Sequence, residues 1–565
     1  MTKKLYLPLL MAIVVALFSS CKKMGPLSAD YFTVTPQVLE AVGGKVPATI
    51  NGKFPEKYFK KKAVVEVTPV LKWNGGEAKG QSAVFQGEKV EGNDQTISYK
   101  VGGSYTMKTS FDYVPEMAKS ELWLEFKAKV GKKEVVIPAV KVADGVISTS
   151  ELVNNTLGSA NPALGEDAFQ RIIKEKHDAN IMFLIQQANI RSSELKTAKE
   201  FNKEVANINE AANKKISNIE VSAYASPDGG VSLNTTLAEN RESNTTKMLN
   251  KDLKKAKIDA PVDAKYTAQD WEGFQELVSK SNIQDKELIL RVLSMHSDPE
   301  VREREIKNIS SAYSVVAEQI LPKLRRSKFV VNAERIGKSD EEIRNLAKSN
   351  PSALNVEELL YAATLFDNNG DKLAIYEAAM RQFPNDWRGF NDAGMILFET
   401  GKVAQAKADF EKANALSANN KTIKNNLGAV ELINGNVKEA EVLFGAATGA
   451  GNEVNYNKGI VAIMKGDYKA AVDYFGKCNC VNAALANILA GNNNEAAKKL
   501  NEGKDDSALA SYLKAVIAAR NNDNSAVLSN LKTACSKDAS MKKLAATDME
   551  FAKLFDNADF QAIVK

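Results

Sequence analysis

Histidine is nearly missing from this chain: His177 and His296 are the only two among 565 residues. Cysteine is almost as scarce, at four. These counts exclude a histidine-rich metal centre and a disulfide-dense scaffold. An excess of one charge is lacking too, since 75 basic and 70 acidic residues leave a formal +5. Nucleic-acid binding needs a concentrated basic face, so no nucleic-acid partner is expected. Beyond position 21 no apolar run is long enough to span a bilayer. The sequence shows no nucleophile elbow, phosphate loop, metal cluster or Ser–His–Asp arrangement, so no enzyme, metal or cofactor is expected. What is present is ordinary for globular protein, with 44% hydrophobic and 26% charged residues. The length predicts several domains, and the patterning below predicts a multidomain α+β chain.

The amino end has the form of a leader. Lys3 and Lys4 precede an almost wholly apolar stretch from Leu5 to Phe18, followed by Ser19, Ser20 and Cys21. The stretch is too short for a stable span and reads as a signal peptide over residues 1–20. Cysteine directly after small residues resembles the lipobox of bacterial lipoproteins, with Phe18 where the strict pattern has Leu or Val. The resemblance implies cleavage before Cys21, diacylation of its thiol and acylation, by palmitate for example, of the new amine. Each buried methylene contributes about 0.8 kcal/mol, so two or three chains anchor stably where one does not. The implied location is the outer membrane. Lys22, Lys23, Met24 and Gly25 carry no acidic export tag, so the expected orientation is towards the periplasm. Residues 21–28 read as a linker. The alternative is a secreted protein in which Cys21 is incidental.

Residues 29–150 read as a β module. Segments 63–73, 96–101, 104–114, 121–130 and 134–142 alternate apolar with polar residues and are rich in valine. Gly75-Gly76, Gly102-Gly103 and Gly131 punctuate them. Short β-branched strands at this spacing predict a β-sandwich, immunoglobulin-like in kind. Trp73 and Trp123 read as core residues, and the module as a spacer or protein-binding element.

Residues 165–345 alternate strand and helix. A strand leading into a turn is expected over 179–190, strands over 216–226 and 324–336, and helices over 194–214 and 237–253. Ala225-Ser226-Pro227-Asp228-Gly229, then Asn234, Leu237 and Arg241, resembles the spaced motif of the OmpA-like peptidoglycan-binding domain. The resemblance implies an α/β domain that binds the stem peptide of the wall. In that family an arginine takes the diaminopimelate carboxylate through charge-assisted hydrogen bonds, and an aspartate takes the ammonium. Arg241 stands at the arginine position, and Ser226 stands where the family has its aspartate. Asp228 lies two residues further on. The candidate wall-binding residues are therefore Ser226, Asp228, Gly229, Asn234 and Arg241, with Arg241 as a purely structural tie between helix and turn as the alternative. Segment 270–323 has helical periodicity and reads as an insert of two or three helices at the domain's edge. Asp298-Pro299 after His296 reads as a helix start.

Residues 350–565 repeat. Gly394, Gly401, Ala406, Phe410 and Ala413 recur thirty-four residues later as Gly428, Gly435, Ala440, Phe444 and Ala447. Gly459, Ala471 and Phe475 continue the frame, and weaker copies follow. The pattern resembles the tetratricopeptide repeat, a helix pair stacked into an α-solenoid. Small residues let paired helices approach, and the aromatic is expected to fill the gap between successive pairs. The segment Lys543 to Phe555 is expected to form a capping helix. Cys478 and Cys480, separated by one residue, are expected to pair poorly with each other, which leaves Cys535 as another candidate partner.

Together these features predict a non-catalytic outer-membrane lipoprotein. It would link the envelope to peptidoglycan through 165–345 and recruit protein partners through the repeats. The alternative is an accessory factor for β-barrel protein assembly or secretion, with the OmpA-like domain making protein contacts instead of wall contacts.

Overall fold

The computed structural model describes residues 24–565, so the signal peptide and Cys21 lie outside the described residues. The chain forms two compact units: one runs to Glu166 and resumes at Asn368–Lys565, and the other is Asp167–Asp367. The β module and the helical repeats therefore belong to one unit.

The β module has two sheets around one core. Strands β1 (Phe32–Thr35), β3 (Lys45–Phe54) and β8 (Gly103–Asp112) form the smaller sheet; β2 (Val38–Glu40) belongs to the larger one. That larger sheet continues through β4 (Ala63–Trp73), β5 (Gly76–Lys79), β6 (Ala83–Gly87), β7 (Gln95–Ile97), β9 (Ser120–Val130), β10 (Lys133–Val135) and β11 (Val140–Ile147). Alternation sets the faces: Val46, Ala48, Ile50 and Phe54 of β3 are buried while Lys45 and Lys53 face water. Strand β3 was not expected, because Pro47, Asn51 and Gly52 interrupt its β-branched run. The expected strand 134–142 is two strands, since residues 136–139 lie outside the ladder. Residues 24–28 are more than a linker, because Met24 and Leu27 are buried in the β core.

The second unit has a four-stranded sheet in the order β12 (Ile172–Met182), β15 (Arg326–Ile336), β13 (Lys214–Tyr224), β14 (Val262–Thr267). Helices α1 (Leu195–Glu210) and α2 (Val231–Ala256) pack on it through Phe201, Val205, Leu249 and Leu253. The first strand starts and ends earlier than expected, and residues 183–190 instead form a loop above α2. The insert consists of α3 (Trp271–Ser279), α4 (Lys286–Met295), α5 (Pro299–Asn308), α6 (Ser310–Gln319) and α7 (Leu321–Leu324), more than the two or three helices expected because breaks at His296–Asp298 and Ile309 divide the periodic run, and it has its own core. Asp298 caps α5 with Pro299 at its first position, and His296 ends α4. Helices α8 (Asp340–Ser349) and α9 (Val356–Thr364) complete this unit, so the contact boundary falls after the expected repeat start at 350.

The helical region is a stack of antiparallel pairs: α10 (Asn369–Gln382), α11 (Trp387–Glu399) with α12 (Val403–Leu416), α13 (Lys421–Ile433) with α14 (Val437–Ala446), and α15 (Asn452–Met464) with α16 (Tyr468–Phe475). It continues with α17 (Val481–Leu489) and α18 (Asn493–Glu502), then α19 (Ala508–Arg520) and α20 (Asn524–Lys537). The period has a local cause. A Cβ at Gly394, Gly428 or Gly459 would come within 2.8, 2.6 or 2.6 Å of the ring of Phe410, Phe444 or Phe475. The aromatic thus sits on the glycine of its own pair, a correction to the expected place between pairs. The end also differs from expectation. The segment breaks at Thr547-Asp548 into α21 (Ser540–Ala545) and a short 3₁₀ turn, and α22 (Ala558–Val564) closes the stack with buried Phe560. The cause is Asp548, whose carboxylate caps the following turn and accepts from Tyr512 at 2.7 Å.

Cys478 and Cys480 form a disulfide across a Cα separation of 5.5 Å, against expectation, while Cys535 is free and buried. The left-handed turn at Gly476 and the extended conformation of Cys480 bend the connection so that both sulfurs meet. A loop this short constrains the unfolded chain little. Reduction is expected to cost about 1–2 kcal/mol at most, read as a small shift in melting with and without reductant.

The β module rests on the stack. Tyr468 of the stack donates its hydroxyl to Ala41 O at 3.5 Å, and Thr149 Oγ1 donates to Glu550 at 2.6 Å. Arg520 donates Nε and Nη2 to the same Glu550 carboxylate and Nη1 to Ile488 O at 2.7 Å. At Gly43, with φ +60, an added Cβ would lie 2.9 Å from Lys465 O, so the two backbones meet without a side chain between them.

Candidate functional site

The wall-type motif folds into a turn between β13 and α2. Asn234 donates its amide to Ser226 O at 3.0 Å and Gly229 O at 3.1 Å. Gln269 adds a bond to Gly229 O at 2.9 Å. Gly229 adopts φ +142, where a side chain is strained. Asp228 pairs with Arg325 at 3.0 Å, and Arg325 Nε donates to Ser226 Oγ at 3.2 Å. Four of the five sequence-predicted residues, Ser226, Asp228, Gly229 and Asn234, therefore meet at one turn.

Their accessibility differs from what the motif alone suggests. Arg241 is 1% exposed. Its Nε donates to Gln187 O at 2.9 Å, Nη1 to Tyr224 O at 2.8 Å and Nη2 to Leu184 O at 3.2 Å. The guanidinium lies 5.0 Å from the Phe183 ring centroid. Burial, reinforced by the neighbouring Arg325 charge, pulls its pKa down to about 10. The insert lies against the turn: Trp271, Phe274, Ile306, Tyr313 and Leu321 face Pro227 and Asp228 across a crevice of about 10 Å³, room for no more than about one water. The insert thus covers part of the motif turn, where the sequence placed it at the domain's edge. One polar atom is left over: Asp228 Oδ1 is buried with no hydrogen-bond partner.

A second site lies in the repeat unit, and the sequence reading missed it. Residues 154–165 run as a strap along the first helices of successive pairs, with a hydrogen-bonded turn at 156–160 and no further turn over 161–165. Asn482 Oδ1 accepts from Asn154 N at 2.9 Å while its Nδ2 donates to Asn154 O at 2.8 Å. Asn457 makes the same pair of bonds to Asn161, at 2.9 and 2.8 Å, and Asn425 also donates to Asn161 O at 2.9 Å. Asn426 holds Ala163 N and O, each at 2.7 Å, and Asn391 donates to Ala163 O at 3.1 Å. Asp392 accepts from Gly165 N at 2.7 Å.

These six side chains are essentially buried. A buried amide costs free energy unless both its ends are satisfied, and here the strap backbone satisfies both ends of Asn482, Asn457 and Asn426 and the amide nitrogens of Asn425 and Asn391. The ladder also bonds along itself, Asn426 to Asn391 at 2.9 Å and Asn457 to Asn425 at 3.0 Å. Burial raises the Asp392 carboxyl to about 7. A signal was present in the sequence: Asn391-Asp392 recurs as Asn425-Asn426 thirty-four residues on, polar pairs on otherwise apolar helices.

Among the described residues, no cluster of His, Cys, Asp and Glu is suited to a metal ion, and no helix is long and apolar enough to cross a membrane.

No family model and no curated protein matches this chain. Solved structures that it resembles are helical-repeat proteins. A tetratricopeptide repeat protein from Parabacteroides merdae shares 16% identity over 37% of this chain and 91% of its own, at a TM-score of 0.29. YrrB, described as a tetratricopeptide repeat protein with an unusual peptide-binding site, shares 20% over 32% and 98%, at 0.26. PilF of Pseudomonas aeruginosa shares 16% over 40% and 99%, at 0.29. The repeat assignment here stands on this chain's own helix pairs and on the glycine–aromatic contacts that set their period.

Proposed function

We propose that this chain is a non-catalytic scaffold, anchored in the outer membrane by lipid on Cys21 and facing the periplasm. Its helical repeats recruit a protein complex, an immunoglobulin-like β module acts as spacer, and an OmpA-like middle domain makes protein contacts. The ladder of buried amides carries the reading, because side chains spaced along successive repeats hold an extended polypeptide by its backbone. Against wall attachment stand the three carbonyls that occupy Arg241 and the insert that packs on Asp228. The test is affinity purification of the full-length chain from detergent-solubilised envelopes, with partners identified by mass. β-barrel proteins or their assembly or secretion partners should copurify, and recovery of the chain alone overturns the reading.

A second reading keeps peptidoglycan as the partner of the middle domain. The unpartnered Asp228 Oδ1 favours it, as a carboxylate oxygen left over for the ammonium of the stem peptide. Retention on purified peptidoglycan separates the two readings. Scaffolding alone predicts that neither the wild type nor Asp228→Asn is held. Wall binding predicts that the wild type is held and that Asp228→Asn is about tenfold weaker, the loss of one charge-assisted bond.

A further inference from the structure

The strap is held unevenly along its length. Its first part is locked by side chains: Ser159 and Ala160 are buried, Ala160 within the core of the stack, and Ser159 Oγ closes the strap's own turn on Asn154 O at 2.5 Å. Residues 161–165 have no such anchor. Asn161 and Leu164 are exposed, Pro162 and Ala163 are half-buried, and Gly165 has no side chain to bury. Open space flanks this stretch. A cavity of about 620 Å³ lies beside Pro162, Ala163 and Leu164 against Trp387 and Met395. Another of about 610 Å³ lies beside Asn161 against Tyr456, Tyr474 and Phe475. The ladder bonds to Asn161, Ala163 and Gly165 all go to backbone N–H or C=O and none to a strap side chain. Such contacts do not distinguish this segment from another extended one. A single position is read for size: a Cβ at Gly165 would lie 2.9 Å from Arg388 Cγ and 3.0 Å from the Trp387 ring.

We propose that residues 161–165 are a displaceable occupant of the groove, and that the amide ladder takes in their place an extended partner segment with a glycine beside Asp392. The strap holds the groove through its tether, which supplies an effective concentration in the millimolar range. An incoming segment has to exceed that competition, so weak or chance segments are kept out and partner recruitment is coupled to release of the strap. The flanking cavities give the incoming side chains room that the small strap residues leave empty. The inference deepens the recruitment reading and rests on it.

The probe is a labelled synthetic peptide with the sequence of residues 153–166, added to the full chain. In the triple variant Asn161→Pro, Ala163→Pro, Gly165→Pro the strap loses its donors while every ladder residue stays. This variant is expected to bind the peptide at least about tenfold tighter than the wild type, as the tethered competitor is removed. A peptide N-methylated at the positions of Asn161, Ala163 and Gly165, or carrying valine at the position of Gly165, should bind neither chain. A peptide with its other side chains shuffled should still bind. Equal binding by both chains, or binding of the N-methylated peptide, overturns the proposal.

Hydrogen exchange on the wild type keeps the test valid if the triple variant misfolds. The amides of Asn161, Ala163 and Gly165 should exchange faster than those of Leu432 and Ile463 in the stack core, and faster still with the unmethylated peptide present. Protection equal to the core means the strap leaves only on global unfolding, which sinks the proposal. A chain that purifies without partners but exchanges its strap defeats the recruitment reading alone.

Discussion

Arg241→Ala is expected to destabilise the 167–367 unit by about 3–5 kcal/mol, because it leaves the carbonyls of Leu184, Gln187 and Tyr224 buried without their donor and opens a hole beneath the loop. In a family binding site this arginine would be a ligand contact whose loss costs affinity and little stability. Here it ties the 183–188 loop, the end of β13 and the middle of α2 together. Hydrogen exchange at the Val221 and Val331 amides, buried in the sheet of that unit, measures the loss without assuming two-state unfolding of the whole chain. Arg241→Lys should recover part of it, since an ammonium reaches one carbonyl but cannot reproduce the three-way fork. Exchange unchanged from wild type would mean the guanidinium is free to serve a ligand. For this reason the wall test uses Asp228 rather than Arg241.

The second large effect concerns pH and the ladder's odd member. Five of its six side chains are amides, and the sixth, Asp392, has its carboxyl raised to about 7 by burial, from 3.8 when free. A carboxyl with a raised folded-state value binds its proton more tightly in the native chain. Asp392 therefore costs nothing below about pH 4, costs progressively more as pH rises towards 7, and reaches a plateau above it. At about 1.4 kcal/mol per unit, the plateau penalty is at most about 4 kcal/mol. Asp392→Asn keeps the acceptor for Gly165 N and removes the titration. At pH 8 the variant is expected to be about 2–4 kcal/mol more stable than wild type, with the difference vanishing near pH 4. Asp548, raised to about 6 by burial, contributes a slope of the same sign in both chains and cancels in the comparison. Urea denaturation of both proteins at several pH values checks this. A variant that is less stable at pH 8 would show that the ionised carboxylate is worth more to the strap than burial costs.

The helical repeat was legible because its cause is local. Gly428 and Phe444 touch inside one helix pair, so the constraint that selects them recurs in the sequence at the period of the structure. The turn motif was legible for the same reason, with Asn234 pinning carbonyls five and eight residues away. The bonds that occupy Arg241 were not, because its carbonyl partners at Leu184 and Gln187 come from a loop that periodicity read as strand. The insert's helices were visible in its apolar spacing, but which face they cover depends on Trp271, Tyr313 and Leu321 meeting a turn far upstream.

The strap shows the limit most clearly. Residues 154–164 fall between the expected β module and the expected strand–helix domain, and nothing in them marks a contact. Asn161 meets Asn457 across a separation of 296 residues, and Asn154 meets Asn482 across 328. Backbone-directed hydrogen bonds leave no side-chain pattern in the segment they hold. By itself the sequence determined the helix pairs of the repeat and their period, since those follow from contacts within a few turns of chain. Which surfaces stay open was decided only by the tertiary structure, because a buried amide, carboxyl or guanidinium settles on whichever distant backbone the fold brings within about 3 Å.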